Sequence, residues 1–162
     1  LGETRALRAL GRPKEALIAA NVLLKINSTP ELHEEIAACL QETGRPVKEV
    51  ERELAKAYKA RGGALSVDGI LTRTKSLLGV RGERAAGQVI ASLSRAWDQN
   101  ATGPMTEQQS EVGLILAEGF LKRNEPGDLG SAKLLLGEVS KRGTNPYARS
   151  LANALAGLCE QS

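Results

Sequence analysis

Four short segments of the chain repeat one spacing of apolar positions. Ala16, Ala20 and Leu23 stand at i, i+4 and i+7, and so do Val50, Leu54 and Ala57, then Ala86, Ile90 and Leu93, then Ala132, Leu136 and Val139. With 3.6 residues per turn, these positions line one face of an α-helix. Partner helices are predicted between them, one carrying Ile36, Ala37 and Leu40, one Val112, Leu116, Ala117 and Phe120, and a last one Leu151, Leu155, Ala156 and Cys159. Residues 66–78 predict one more, with Ile70, Leu71, Leu77 and Leu78 inward, and residues 1–10 read as the remainder of a first helix.

The ends of these elements carry their own signals. Thr29 can cap free amide groups and Pro30 suits the first helical position, while Gly44 marks the stop. Thr106 and Gln109 are spaced as a capping box for a helix running to about residue 123. Asp128 is placed to cap the next helix, and Asn145-Pro146 starts the last. The turns also repeat. Gly11-Arg12-Pro13 returns as Gly44-Arg45-Pro46 after 33 residues, and Lys14-Glu15-Ala16 as Lys48-Glu49-Val50 after 34. The four stripes begin 34, 36 and 46 residues apart, so one helical unit is reused with insertions.

On these residues the chain resembles the tetratricopeptide repeat family, whose unit is a helix–turn–helix of about 34 residues. The first-helix pattern of the family corresponds to Ile36-Ala37-x2-Leu40, Leu116-Ala117-x2-Phe120 and Leu155-Ala156-x2-Cys159. Pro30 and Pro146 fall at the inter-repeat proline. The resemblance covers residues 1–60 and 105–162, with 63–104 as a degenerate repeat and loop. It implies an all-α fold, a right-handed α–α superhelix of about four hairpins forming one domain over 1–162. A related helical-hairpin solenoid stays open, because Leu, Ala or Ile mostly replace the family's large aromatics.

Composition narrows the class. Of 162 residues 41% are hydrophobic, 25% charged and 2% aromatic, which favours helices and excludes a β-sandwich or β-barrel. No stretch approaches the ~18 apolar residues of a membrane span. The net charge of +3 is spread along the chain, and Arg81, Arg84 and Lys141-Arg142 stand apart from Trp97, Phe120, Tyr58 and Tyr147. Nucleic acid is therefore not an expected partner. Cys39 and Cys159 form no disulfide framework or metal spacing and read as small core residues. Unpaired thiols lean towards a reducing cytoplasm, with the periplasm left open. Leu1 is not an initiator Met, so a processed chain or a piece of a longer array is expected. The sequons at Asn27 and Asn100 are short enough to arise by chance.

Candidate chemistry is sparse. His33, the only histidine, is expected to be exposed beside Glu34 and Glu35, whose charges suit a helix N-terminus. It lacks metal-binding companions and a nucleophile nearby in sequence. Gly62-Gly63 and the glycines at 79–82 follow no strand and lack a Gly-Lys-Ser/Thr ending. Ser92 and Ser94 form no nucleophile elbow. No enzyme activity and no cofactor are expected. Trp97 is expected to pack under the polar segment 98–104 or to anchor a partner, and 98–103 to be the most mobile stretch.

What the resemblance implies instead is recognition, with the first helices of successive hairpins lining a concave groove for a peptide or partner protein. Arg5, Arg8, Glu34, Gln41, Arg73, Glu118, Lys122 and Asn153 are the residues it would place there. Glu34, Glu35 and Ala38 replace the Lys/Arg and Asn that the family uses to clamp acidic C-terminal peptides, so that ligand is not expected. The wider role implied is a scaffold in bacterial secretion, pilus or exopolysaccharide assembly. A regulatory domain of a larger signalling or transcription protein, or a self-associating unit, is the alternative.

Overall fold

The structure is a computed structural model describing residues 1–79, 83–99 and 101–161; Arg81, Gly82 and Asn100 lie outside the described residues. These residues form nine α-helices: α1 Gly2–Ala9, α2 Pro13–Ile26, α3 Pro30–Glu42, α4 Val47–Ala60, α5 Val67–Leu78, α6 Glu83–Ser94, α7 Glu107–Arg123, α8 Asp128–Arg142 and α9 Pro146–Glu160. The chain divides into two compact units, Leu1–Ser76 and Leu77–Ser162, with the boundary inside α5. No helix among the described residues is long and apolar enough to cross a membrane.

The apolar stripes are the buried faces. Eleven of their twelve residues are buried, and Leu23 is half-buried. In the first unit α2 packs on α1 and α3, α3 packs on α4, and α1 touches α3. In the second, α7 packs between α6 and α8, α8 packs on α9, and α7 touches α9. Ala20, Leu32 and Ile36 form the centre of the α2–α3 contact, and Ala37, Val50 and Leu54 that of α3–α4.

The repeated tripeptide is a repeated turn. Gly11 and Gly44 adopt φ of 73° and 75°, a region where a Cβ is strained. The amides of Gly11 and Arg12 donate to Arg8 and Leu7 at 2.9 Å each. Those of Gly44 and Arg45 donate to Gln41 and Leu40 at 3.1 and 2.9 Å. Both turns thus satisfy the last carbonyls of the preceding helix in the same way.

The caps agree with the sequence at three helices. Thr29 Oγ1 accepts from Leu32 N at 3.2 Å, Thr106 Oγ1 from Gln109 N at 3.1 Å, and Asn145 Oδ1 from Tyr147 N at 2.9 Å. The capping box at α7 is only half made. Gln109 does not reach back to Thr106; its amide donates to Ala96 O at 3.0 Å. Asp128 differs too. It is the first residue of α8 rather than its cap, and its carboxylate accepts from Glu125 N and Arg123 while Gly127 holds the cap position. Along α5 only Leu71 of the four expected apolar positions is fully buried. Thr72, Thr74 and Ser76 take interior places instead, Thr74 donating to Leu71 O at 2.9 Å.

Candidate functional site

Three consecutive polar residues on α3 are buried, against the expectation that His33 and its acidic neighbours face solvent. Successive helical residues point about 100° apart, so each addresses a different element. Glu35 turns to α1, where Arg8 Nη1 lies 2.7 Å and Arg5 Nε 3.3 Å away. Glu34 turns to the segment entering α5, accepting from Ser66 Oγ and standing 2.8 Å from Arg61 Nε. That N–H does not point along the contact, which is an ion pair more than a hydrogen bond. His33 turns to α4, with Nδ1 2.9 Å from Glu53 Oε2. Burial is tolerated because every charge is answered.

His33 also meets a serine. Its Nε2 lies 2.9 Å from Ser28 Oγ, and Lys56 Nζ holds the other oxygen of Glu53 at 2.9 Å. An ionised Glu53 requires the proton on Nδ1, leaving Nε2 of a neutral ring to accept from the Ser28 hydroxyl. Burial pushes the Glu53 carboxyl up, but its bonds from Lys56 and His33 prevail and hold it below the usual carboxylate range. No nucleophile is expected near His33 in sequence, yet Ser28, five residues earlier across the α2–α3 loop, is one. This is the connectivity of a serine–base–acid relay. Two positions at the start of α3 are closed to an oxyanion, however. Pro30 has no N–H, and the amide of Leu32 is taken by Thr29.

The residues expected along a groove are mostly engaged within their own unit. Arg5 and Arg8 come together on Glu35, and Arg8 also holds Glu42 at 2.8 Å. Burial would lower the Arg8 guanidinium, but Glu42 and Glu35 outweigh it and raise its pKa. Glu34 departs furthest from a groove position, being 6% exposed. Gln41 is half-buried, and Arg73 pairs with Glu51 of α4 at 3.0 Å. In the second unit Lys122 donates to Leu78 O, and Asn153 accepts from Ser140. Desolvation raises the Glu118 carboxyl, with Lys122 opposing.

The second unit contains a feature that sequence spacing did not reveal. A cavity of about 390 Å³ opens between the end of α6, α7 and α8. Leu116 and Phe120 from α7, Leu135 from α8 and Trp97 from the turn after α6 supply apolar walls, with Leu134, Ser131 and Glu138 at its margin. Trp97 is half-buried and packs where α7 carries Gly113; a Cβ there would meet the indole at 2.9 Å and Val139 at 2.8 Å. Gly119 likewise lets α7 approach Val89 and Ile90 of α6. The packing shown for Trp97 is against α7, which was not among its expected roles, and the same ring walls the cavity. Glu118 and Lys122, though on α7, do not line it.

Outside these places, Ile18, Val22 and Ile26 form an exposed stripe on α2, the last at 77%. Cys39 and Cys159 are free and buried, as expected of small core residues. Burial pushes the Cys39 thiol up to about 11, with Arg8 opposing. No cluster of three potential metal ligands occurs among the described residues. No family model, no curated protein and no solved structure matches the chain.

Proposed function

We propose that the chain is a non-catalytic protein-interaction module, built as a tetratricopeptide-like solenoid of stacked helix–turn–helix units, that binds a segment of a partner protein. The observation that carries this reading is the open cavity of the second unit. Its aromatic and aliphatic walls lie beside an exposed Leu134, the arrangement in which interfaces concentrate binding energy. The matched Gly-Arg-Pro turns and the order of helix packing support the solenoid. The groove residues Arg5, Arg8, Glu34 and Arg73 carry it less well, since a partner would first have to displace their present ion pairs.

The test is a selection of displayed random peptides on the immobilised chain, followed by titration of the selected peptides. Trp97 is the only tryptophan, so its fluorescence reports on the cavity directly. Saturable binding that shifts this emission, and that Leu134→Ser weakens, is the expected result. Selection of no peptide by a fully folded chain would sink the reading.

The Ser28–His33–Glu53 relay favours a second reading, a serine hydrolase. A fluorophosphonate that labels the wild type but not Ser28→Ala would displace the non-catalytic reading.

A further inference from the structure

The apolar cavity does not end at its own walls. Glu138 and Arg142, which line it, also line a shallower cleft that continues along the end of α8 towards α9. The charged residues of that cleft are Glu138, Lys141, Arg142 and Arg149. Arg142 Nη1 holds Glu138 at 3.0 Å, so these two charges neutralise each other. Among the described residues no carboxylate pairs with Lys141 or Arg149, and both side chains are exposed. The cleft therefore presents two unanswered positive charges next to an apolar cavity.

Its form is fixed by the backbone around it. Arg142 Nε donates to Gly103 O at 3.0 Å, Met105 N donates to Arg142 O at 2.8 Å, and Thr144 Oγ1 donates to Met105 O at 3.1 Å. Arg149 Nε donates to Ser140 O at 3.1 Å, which anchors the guanidinium at the rim. These bonds tie the segment before α7 to the end of α8, so cavity and cleft belong to one supported surface. Such pre-formed geometry lowers the ordering cost that a ligand must meet.

We propose that this surface binds an acidic peptide segment with one large apolar anchor residue, the anchor seated among Trp97, Phe120 and Leu135 and the carboxylates on Lys141 and Arg149. The proposal rests on the interaction-module reading above and adds the chemistry of the partner. The volume suits it. The apolar cavity, at about 390 Å³, lies at the small end of ligand sites and has room for one or two large side chains. Charge complementarity supplies the rest, since opposite charge across a rim speeds association and selects among partners of equal apolar content.

The experiment uses three sets of synthetic twelve-residue peptides sharing one central Trp, Phe or Leu, flanked by Asp/Glu, by Ser/Gln or by Lys/Arg. Binding is followed by Trp97 emission for the Phe and Leu peptides and by calorimetry for all. The acidic set is expected to bind at least tenfold more tightly than the neutral set and the basic set least, with affinity falling as salt rises. Lys141→Glu combined with Arg149→Glu is expected to abolish the preference while circular dichroism shows the helices retained, since both side chains are exposed and the one bond lost is that of Arg149 to Ser140. Leu134→Ser is expected to weaken all sets alike. Equal binding of acidic and neutral sets, or a preference that survives charge reversal, overturns the proposal and leaves the module reading standing. Binding lost on Arg5→Glu with Arg8→Glu, but kept on charge reversal at the cleft, moves the site to the first unit. Failure of all three sets overturns this proposal, and the module reading is then lost only if the random selection also yields nothing.

Discussion

Helices α3 and α7 hold the same place in their two units, each packed between the helix before it and the helix after it. Both are buried nearly all round, yet by opposite means. α3 carries His33, Glu34 and Glu35 into the interior and gives each a partner on a different element. α7 carries Gly113 and Gly119 with Val112, Leu114, Ile115 and Leu116, and admits its neighbours by having no side chain in the way. Ion pairs specify direction, so α3 can be seated in only one rotation. Close packing specifies volume, so α7 tolerates little added bulk and leaves a cavity where Trp97 and Phe120 do not fill the space. Two helices with equivalent neighbours are thus locked in place in two chemically distinct ways.

The sharpest way to break this comparison is to add volume to each helix contact. Gly113→Leu is expected to destabilise the second unit by about 3 kcal/mol, because Val139 and the Trp97 ring stand where its Cβ would go. Trp97 lies in that unit, so its fluorescence in urea follows the loss, while far-ultraviolet circular dichroism follows both units. At Gly69 the nearest atoms to an added Cβ are those of the Glu34 side chain, at 3.1 to 3.4 Å, which can give way. Gly69→Ala should therefore cost much less. Equal losses at the two glycines would mean that ion-paired contacts are packed as rigidly as apolar ones.

This contrast marks how far the sequence could be read. Helix positions were legible because alanine, valine and leucine recur at i, i+4 and i+7, and the turns because glycine takes the φ of Gly11 and Gly44 without strain. The interior of α3 was not legible. Glu34 and Glu35 look like residues of an exposed first turn, and their burial depends on Arg61 and Arg8, which lie 27 residues away in sequence each. Ser28 was hidden from His33 for a related reason, since a five-residue separation across a cap has no regular period. The cavity was least legible of all. It arises where glycines bring helices together around two aromatics, and no spacing rule encodes an unfilled volume.

Removing one partner of an ion pair probes the other side of the comparison. Glu34→Ala should cost the first unit about 2 kcal/mol, the scale of a charged hydrogen-bond network, by stranding Arg61 and Ser66. The cost stays below that of a fully enclosed pair, because Arg61 retains contact with solvent and with Glu31 at 3.3 Å. Circular dichroism should show the change while Trp97 fluorescence does not. A loss seen equally by both probes would show that the two units unfold together.

Acid should separate the units more gently. The folded Glu53 carboxyl titrates below its unfolded value, so its stabilisation is full above about pH 4.3 and disappears as pH falls through the folded pKa. Glu118 has the opposite sign, since a raised carboxyl disfavours the folded state as pH rises through it. Asp128 in the second unit shares the sign of Glu53, held low chiefly by its hydrogen bond from Arg123. Urea titrations from pH 6 to 3 should show a late acid loss in wild type that Glu53→Gln flattens and Glu118→Gln does not. An unchanged acid profile in Glu53→Gln would remove the relay from the list of contacts holding α3 to α4.

The smallest effect concerns the turn that the first unit uses twice, at Gly11 and at Gly44, to end one helix and start the next. Gly44→Ala should cost about 1 kcal/mol, the strain of placing a Cβ at φ 75°, partly offset by the lower entropy of an unfolded alanine. Its neighbour recurs in sequence just as faithfully, and Arg45 binds Glu49 at 2.7 Å. That pair is exposed, and in water such a contact is nearly balanced by the cost of holding two long side chains still. Arg45→Ala should leave the urea midpoint where it is. If the arginine mattered as much as the glycine, the recurring tripeptide would be a charge motif, and ion pairing would reach beyond α3 into the turns themselves. If only the glycine matters, the repeat is held by backbone geometry alone, and the electrostatic lock is a local property of the helix that carries His33, Glu34 and Glu35.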